Sequence, residues 1–204
     1  MKISKLQFIS ESRHHAKLAI ERGIKSIQLR VKNRPYADWK REALATQDLC
    51  RRYHATFILN DNPHLAQEIG ADGVHLGKQD MPAAEARALL GLGFLIGGTA
   101  TTFAEVAHLA AAGVDYISLG PFRYTTPPPE PQLVLGFAGY AEVLAQCRTV
   151  QLTVPLVGFG GITPAEVAPL LRLGLHGVAI ASGIAKPPYF DRSAVWEYVR
   201  CARE

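Results

Sequence analysis

The chain has few cysteines, no long apolar runs and no concentrated charge. Its three cysteines, Cys50, Cys147 and Cys201, are odd in number, widely separated and without a CxxC pair. That pattern argues against a disulfide scaffold, and all three are expected to be reduced thiols on helices. No two histidines have zinc-ligand spacing, so no transition-metal site is read. The opening MKISKLQFIS contains no apolar run of about 7 to 15 residues ending in a small-residue cleavage site. No segment approaches the roughly 20 apolar residues of a membrane span. The expectation is a soluble, cytoplasmic protein with no membrane partner. Charge is diffuse: 22 basic and 18 acidic residues give a net +4, with no block beyond Arg51-Arg52 and His14-His15. That is too thin for a nucleic-acid groove. It suits anionic small molecules and, equally, ordinary solvated helix faces.

What the chain does have is enough apolar residue for a core. At 204 residues and 48% hydrophobic content, one domain over 1–204 needs neither disulfides nor a partner to fold. Short β-rich runs recur eight times: Leu6 to Ile9, Ser26 to Leu29, Thr56 to Leu59, Gly73 to His75, Leu95 to Gly97, Tyr116 to Leu119, Leu156 to Gly158 and Val178 to Ile180. Helix-compatible stretches lie between them, among them Tyr36 to Tyr53, Ala83 to Leu90, Phe103 to Ala112, Pro164 to Leu173 and Arg192 to Arg203. Such alternation predicts a parallel sheet. Several joints repeat a helix end, a glycine and then a strand, as at Gly23, Gly70, Gly113 and Gly174. The repetition favours an α/β fold of the (β/α)8 TIM-barrel type over an open doubly wound sheet. The length is short for such a barrel, which runs from about 200 residues upward, so its loops must be brief.

Thr163-Pro164-Ala165-Glu166 marks a helix start, with threonine as the cap, proline in the first turn and glutamate three residues on. The only long connection without a pattern runs from Gly120 to Leu135 and holds Pro121, Pro127, Pro128, Pro129 and Pro131. A loop of that length in so short a chain is expected to be functional.

In a barrel of this type the active site gathers at the carboxyl ends of the strands. After the second strand come Gln28, Arg30 and Lys32, alternating residues that share one side of an extended segment. Asn60 and Asp61 follow the third strand, and His75, Lys78, Gln79 and Asp80 the fourth. Two carboxylates brought to one mouth repel unless a cation lies between them, and Mg2+ is the expected one. Arg30 and Lys32 would hold remaining phosphate charge. A plainer reading makes Asn60-Asp61-Asn62-Pro63 a turn that caps the third helix. Opposite this end, Gly158 to Pro164 after the seventh strand and Ala181-Ser182-Gly183 after the eighth form a pattern that binds phosphate through backbone amides. Two anionic ends in one pocket point to the joining of a diphosphate and a monophosphate. For His75, local packing is the simpler reading. Trp39, Trp196 and Tyr198 read as outer packing, and Lys78 stays unassigned.

The phrases Gln28-Leu29-Arg30-Val31-Lys32, Leu59-Asn60-Asp61, Gly70 to Pro82, Gly120-Pro121 and Gly160-Gly161-Ile162-Thr163-Pro164 resemble the thiamin phosphate synthase family over nearly the whole chain. The resemblance implies coupling of hydroxymethylpyrimidine diphosphate to hydroxyethylthiazole phosphate, or its carboxylated tautomer, by a dissociative route in which pyrophosphate leaves first. By position it assigns Gln28, Arg30, Lys32 and Asn60 to the pyrimidine diphosphate and Asp61 and Asp80 to magnesium. Thr99 stands where the family has serine. Thr125, Gly160, Gly161, Ala181 and Ser182 fall at the thiazole phosphate. Only phosphorylated small molecules are implied as partners, and a homodimer is left open.

One departure stands out. The family reads threonine, any residue, threonine, lysine after the sixth strand, whereas Thr125-Thr126 here precede Pro127-Pro128, so the diphosphate lysine is missing. Arg123 is the only cation in that loop and is expected to replace it, gripping two phosphate oxygens. Two alternatives follow from the departure. A thiazole tautomerase of the same barrel would carry histidine at Pro121 and lack the second aspartate, and neither applies here. A non-catalytic barrel that binds a thiamin precursor would not need Asp61 and Asp80.

Overall fold

The computed structural model describes residues 2–125, 133–186 and 189–202. Thr126, Pro127, Pro128, Pro129 and Pro131 of the expected proline-rich loop lie outside those residues. The elements alternate as β1 (Leu6–Ser10), α1 (Arg13–Ile20), β2 (Ser26–Leu29), α2 (Tyr36–Arg52), β3 (Thr56–Asn60), α3 (Pro63–Ile69), β4 (Gly73–Leu76), α4 (Ala83–Leu90), β5 (Leu95–Ala100), α5 (Phe103–Ala111), β6 (Tyr116–Leu119), α6 (Gly136–Thr149), β7 (Leu156–Phe159), α7 (Pro164–Leu173) and β8 (Gly177–Ile180). A hairpin of β9 (Ala185–Lys186) and β10 (Tyr189–Phe190) precedes the last helix, α8 (Arg192–Cys201). Strands β1 to β8 pair in chain order, and β8 returns in parallel to β1, closing the barrel. No described helix is long and apolar enough to cross a membrane.

Closure divides each strand into two sets of side chains. Outward residues such as Phe57, Leu59, Val74 and Ile96 join the main core against the helices. Inward residues Ile58, Tyr116, Val157 and Ala179 make a smaller apolar cluster with Ile3, Ile9 and Phe159. Above that plug the interior turns polar, with Gln28, Asn60, His75 and Ser118 all buried. Buried polar groups persist only when hydrogen-bonded, so their partners shape the mouth.

Several strands outrun the apolar pattern at their carboxyl ends, because Asn60, Thr99 and Phe159 continue the ladder as residues that face the mouth. At β2 the reverse holds. The strand ends at Leu29, and Lys32 stands exposed in the loop instead of continuing the alternation of Gln28 and Arg30.

α6 fastens the ends of β6 and β7. The buried Tyr140 hydroxyl donates to Leu119 O at 2.6 Å and accepts from the Phe159 N–H at 3.2 Å. Replacing Tyr140→Phe keeps the ring and deprives both strand ends of a partner. A loss of roughly 1–3 kcal/mol in urea unfolding is expected; an unchanged midpoint would show that the hydroxyl holds nothing.

Candidate active site

Asp61 directly follows β3 with φ +69°, a left-handed turn that non-glycine residues seldom adopt outside asparagine and aspartate. Its N–H donates to His75 O at 2.9 Å, while the cap of α3 is Asn62, whose side chain accepts from Leu65 N–H at 2.9 Å. The capping role thus falls to Asn62 and leaves the Asp61 carboxyl free for the mouth. Asp80 is held in turn by the Gly77 N–H, which donates to its Oδ2 at 2.6 Å.

The two carboxyl groups are in hydrogen-bonding contact. Burial raises the Asp80 pKa above its ordinary 3.8, and the bond and charge of Asp61 add to the rise, against the opposing pull of Gly77. A cation between the two carboxylates would relieve their repulsion. Two carboxylates and few other protein donors fit Mg2+, which keeps several waters and takes its remaining oxygens from phosphate. Among the described residues no group of three or more histidine, cysteine or acidic side chains comes together as a metal cage.

A carboxylate only accepts hydrogen bonds, and that fixes the amides beside it. The Asn60 amide nitrogen donates to Asp61, so its oxygen faces away, and Gln28 Nε2 donates to that oxygen. The Gln28 Oε1 is then turned inward, buried and without a protein partner. Gln28, Arg30, Asn60, Asp61, His75 and Thr99 line one cavity of about 370 Å3. Across the mouth, Thr125, Gly160, Gly161, Ala181 and Ser182 line another of about 140 Å3. Ile9, Phe159 and Ala181 belong to both walls, so the two spaces are neighbours. Gly160 and Gly161 have φ +94° and +61°; a Cβ on them would lie 2.5 Å from Pro121 Cβ and Arg123 Cγ respectively. The turn therefore needs both glycines.

Lys32 lines neither of these cavities. Arg123 makes a two-pronged grip, but on Glu166: Nη1 lies 2.8 Å from Oε2, Nη2 pairs with Oε1, and Nη1 also donates to Gly161 O at 2.6 Å. Its guanidinium stacks 4.4 Å from the Phe122 ring centre. Glu166 further accepts from the N–H and hydroxyl of Thr163, both at 2.8 Å. The hydrogen bonds from Arg123, foremost, hold the Glu166 carboxyl down at about 2. Arg123 also borders a cavity of about 430 Å3 with Lys78, Thr99 and Thr125. Lys78 is paired with Glu105 at 2.6 Å and Thr101 at 3.2 Å. A cavity of about 620 Å3 opens between α4 and α5, with Gly77, Lys78, Asp80 and Thr99 also in its wall.

His75 is wholly buried, and burial brings its pKa down to about 4. Its Nδ1 lies 3.0 Å from the Tyr116 hydroxyl and its Nε2 2.9 Å from Thr99 Oγ1. Sequence reasoning read local packing here and missed Tyr116, 41 residues away; strand register was the signal that would have found it.

A barrel whose mouth joins an acidic, arginine-flanked end to a glycine-turn end defines a phosphate-handling enzyme. The comparisons narrow the class. The family profile described as thiamine monophosphate synthase matches residues 4–184. A thiamine-phosphate synthase of Phocaeicola vulgatus is 43% identical over 182 residues, 88% of each chain. One from Bacteroides fragilis is 41% identical over 189 residues, 90% of this chain and 93% of that protein. A solved thiamine phosphate pyrophosphorylase from Pyrococcus furiosus superposes with a TM-score of 0.82 at 26% identity, covering 98% of this chain and 95% of that one. The chain belongs to the thiamine monophosphate synthase family, a family of transferases.

A carboxyl whose pKa rises on folding holds its proton more tightly in the folded state, so stability falls as pH climbs from 3.8 through the raised value. At neutral pH that cost is fully present. Asp80→Asn keeps an acceptor for Gly77 and removes one charge. It is expected to raise Tm without magnesium by roughly 2 to 4 °C, solvent around the part-exposed group keeping the effect small. Magnesium should then stabilise the parent and not the variant. A lower metal-free Tm in the variant would refute the opposition of the two carboxylates.

Proposed function

We propose that this family member couples an aminopyrimidine-methyl diphosphate to a thiazole phosphate at the double-ended mouth, releasing pyrophosphate. The observation that carries the reading is the adjacency of the two cavities, which share Ile9, Phe159 and Ala181. The carbon–oxygen bond to pyrophosphate breaks, and the thiazole nitrogen gives its lone pair to the same methylene carbon. Gln28 is well made for the pyrimidine, since its partnerless Oε1 matches a ring amino group. Arg30 and the Thr99 hydroxyl border the diphosphate end, while Lys32 stands exposed in the loop that follows β2. Asp61 and Asp80 would hold magnesium, which when bound would supply positive charge for the diphosphate oxygens.

At the other end, the amides of Gly160, Gly161 and Ser182, with Thr125, take the thiazole phosphate. Glu166 at the start of α7 would repel that phosphate if its charge stood alone. Arg123 cancels it and ties the sixth loop to the glycine turn, so its place is at the monophosphate end rather than on the leaving group. Both substrates are phosphorylated and cannot cross a bilayer unaided, which supports a cytoplasmic reaction.

Pyrophosphate release measured with both substrates and magnesium tests the reading. Product is expected only when both rings are present, with a loss of at least roughly 100-fold in Asp61→Asn. Silence of the parent under conditions where Asp61→Asn is equally silent would overturn the reading. Arg123→Ala separates the two placements of the arginine. KM for the thiazole phosphate should rise roughly 5- to 10-fold with a smaller change in kcat; a fall in kcat alone would return Arg123 to the leaving group.

A further inference from the structure

Beneath the mouth, Tyr116 on β6, His75 on β4 and Thr99 on β5 make a line that no step above uses. Gly97 on β5 is in register with His75 on one side and Tyr116 on the other. Its missing side chain is the space that the Tyr116 ring crosses: a Cβ at Gly97 would lie 2.2 Å from Tyr116 Cζ and 2.5 Å from the hydroxyl oxygen. Through that gap the hydroxyl reaches His75 Nδ1 at 3.0 Å, and on the far side His75 Nε2 reaches Thr99 Oγ1 at 2.9 Å.

The proton positions follow from counting. Tyr116 is fully buried, and among the described residues His75 Nδ1 is the one hydrogen-bond partner of its hydroxyl. A phenol that donates nowhere in such surroundings is costly, so the O–H donates to Nδ1, which must then carry a lone pair. A doubly protonated ring, or one protonated on Nδ1, would leave the phenol proton facing another proton. The ring hydrogen is therefore on Nε2 and points at Thr99 Oγ1. Thr99 accepts it, and its own hydrogen turns to the mouth, where Thr99 borders the cavity with Arg30 and Asp61.

We propose that Tyr116 and His75 are positioning residues that fix Thr99 as a hydrogen-bond donor to the diphosphate oxygens. With the opposite sense, Thr99 would give its hydrogen to Nε2 and show an incoming anion only lone pairs. The proposal rests on the mouth being a diphosphate pocket, but the proton direction does not.

Nitrogen-15 NMR of histidine-labelled, ligand-free protein reads the direction. The signal lost in His75→Gln should belong to a neutral ring with hydrogen on Nε2, and an Nδ1–H or doubly protonated ring would overturn the proposal. Kinetics read the consequence. Tyr116→Phe and Thr99→Val should each lower kcat/KM for the pyrimidine diphosphate roughly 5- to 20-fold, and Thr99→Ser should stay within roughly threefold of the parent. Adding Tyr116→Phe to Thr99→Val should cost less than about a further twofold, since the tyrosine acts through the threonine. Fully multiplying losses would assign Tyr116 a packing role only and overturn the proposal. A parent that makes no product would refute the synthase reading and with it the role of Thr99, while the NMR result would still decide the proton direction.

Discussion

Two carboxyl groups in contact at the rim of the barrel, Asp61 and Asp80, impose their order on the polar interior below. Because a carboxylate accepts and never donates, Asp61 determines which way the Asn60 amide faces, and Asn60 determines Gln28. The chain of donors ends in a buried carbonyl oxygen without a protein partner. The same pair makes the rim acidic, and Asp80 shifts in the direction expected of a group waiting for positive charge. Desolvating Asp80 beside a second carboxyl costs stability, a usual tension between a polar mouth and a stable fold.

The opposite end of the mouth works by another principle. It presents backbone amides at a turn that only glycine can make, with charged groups arranged behind it and not in it. Glu166 accepts four hydrogen bonds, from the N–H and hydroxyl of Thr163 and from both prongs of Arg123, and is kept ionised to about pH 2. The Tyr198 hydroxyl on α8 donates to Ile162 O at 2.6 Å and holds the turn from the outside. Charge governs one half of the pocket and backbone geometry the other.

Much of this was legible in the chain. The eight strands, the glycine joints, the start of α7 and the two carboxylates follow from periodicity and turn chemistry. The strand ends did not, for a physical reason: Asn60 and Thr99 extend the ladder with polar residues that border the cavity, and these break the apolar pattern that marks a strand. Lys32 shows the converse, since alternation carries a side chain to one face only while the backbone stays extended. The β9–β10 hairpin left no periodic signal because each strand is two residues long. At α7 the Thr163–Glu166 capping box stands where the sequence put it, and the Thr163 hydroxyl also meets the Glu166 carboxylate.

The contacts that escaped sequence reasoning are those made across strands. Arg123 and Glu166 stand 43 residues apart. Sequence alone offers Arg123 as a free cation in a loop that has lost its lysine. The fold puts a carboxylate beside it, and an arginine within reach of a partly buried carboxylate will pair with it before any substrate arrives. Glu166 is itself required by the start of α7, where it accepts the Thr163 N–H. Arg123 is thus committed by the local needs of a helix three elements further along the chain. On the reading proposed above, the diphosphate end would be left with Arg30, Lys32 and a cation held by Asp61 and Asp80, so more weight would fall on the acidic pair than in a barrel that keeps a lysine in the sixth loop.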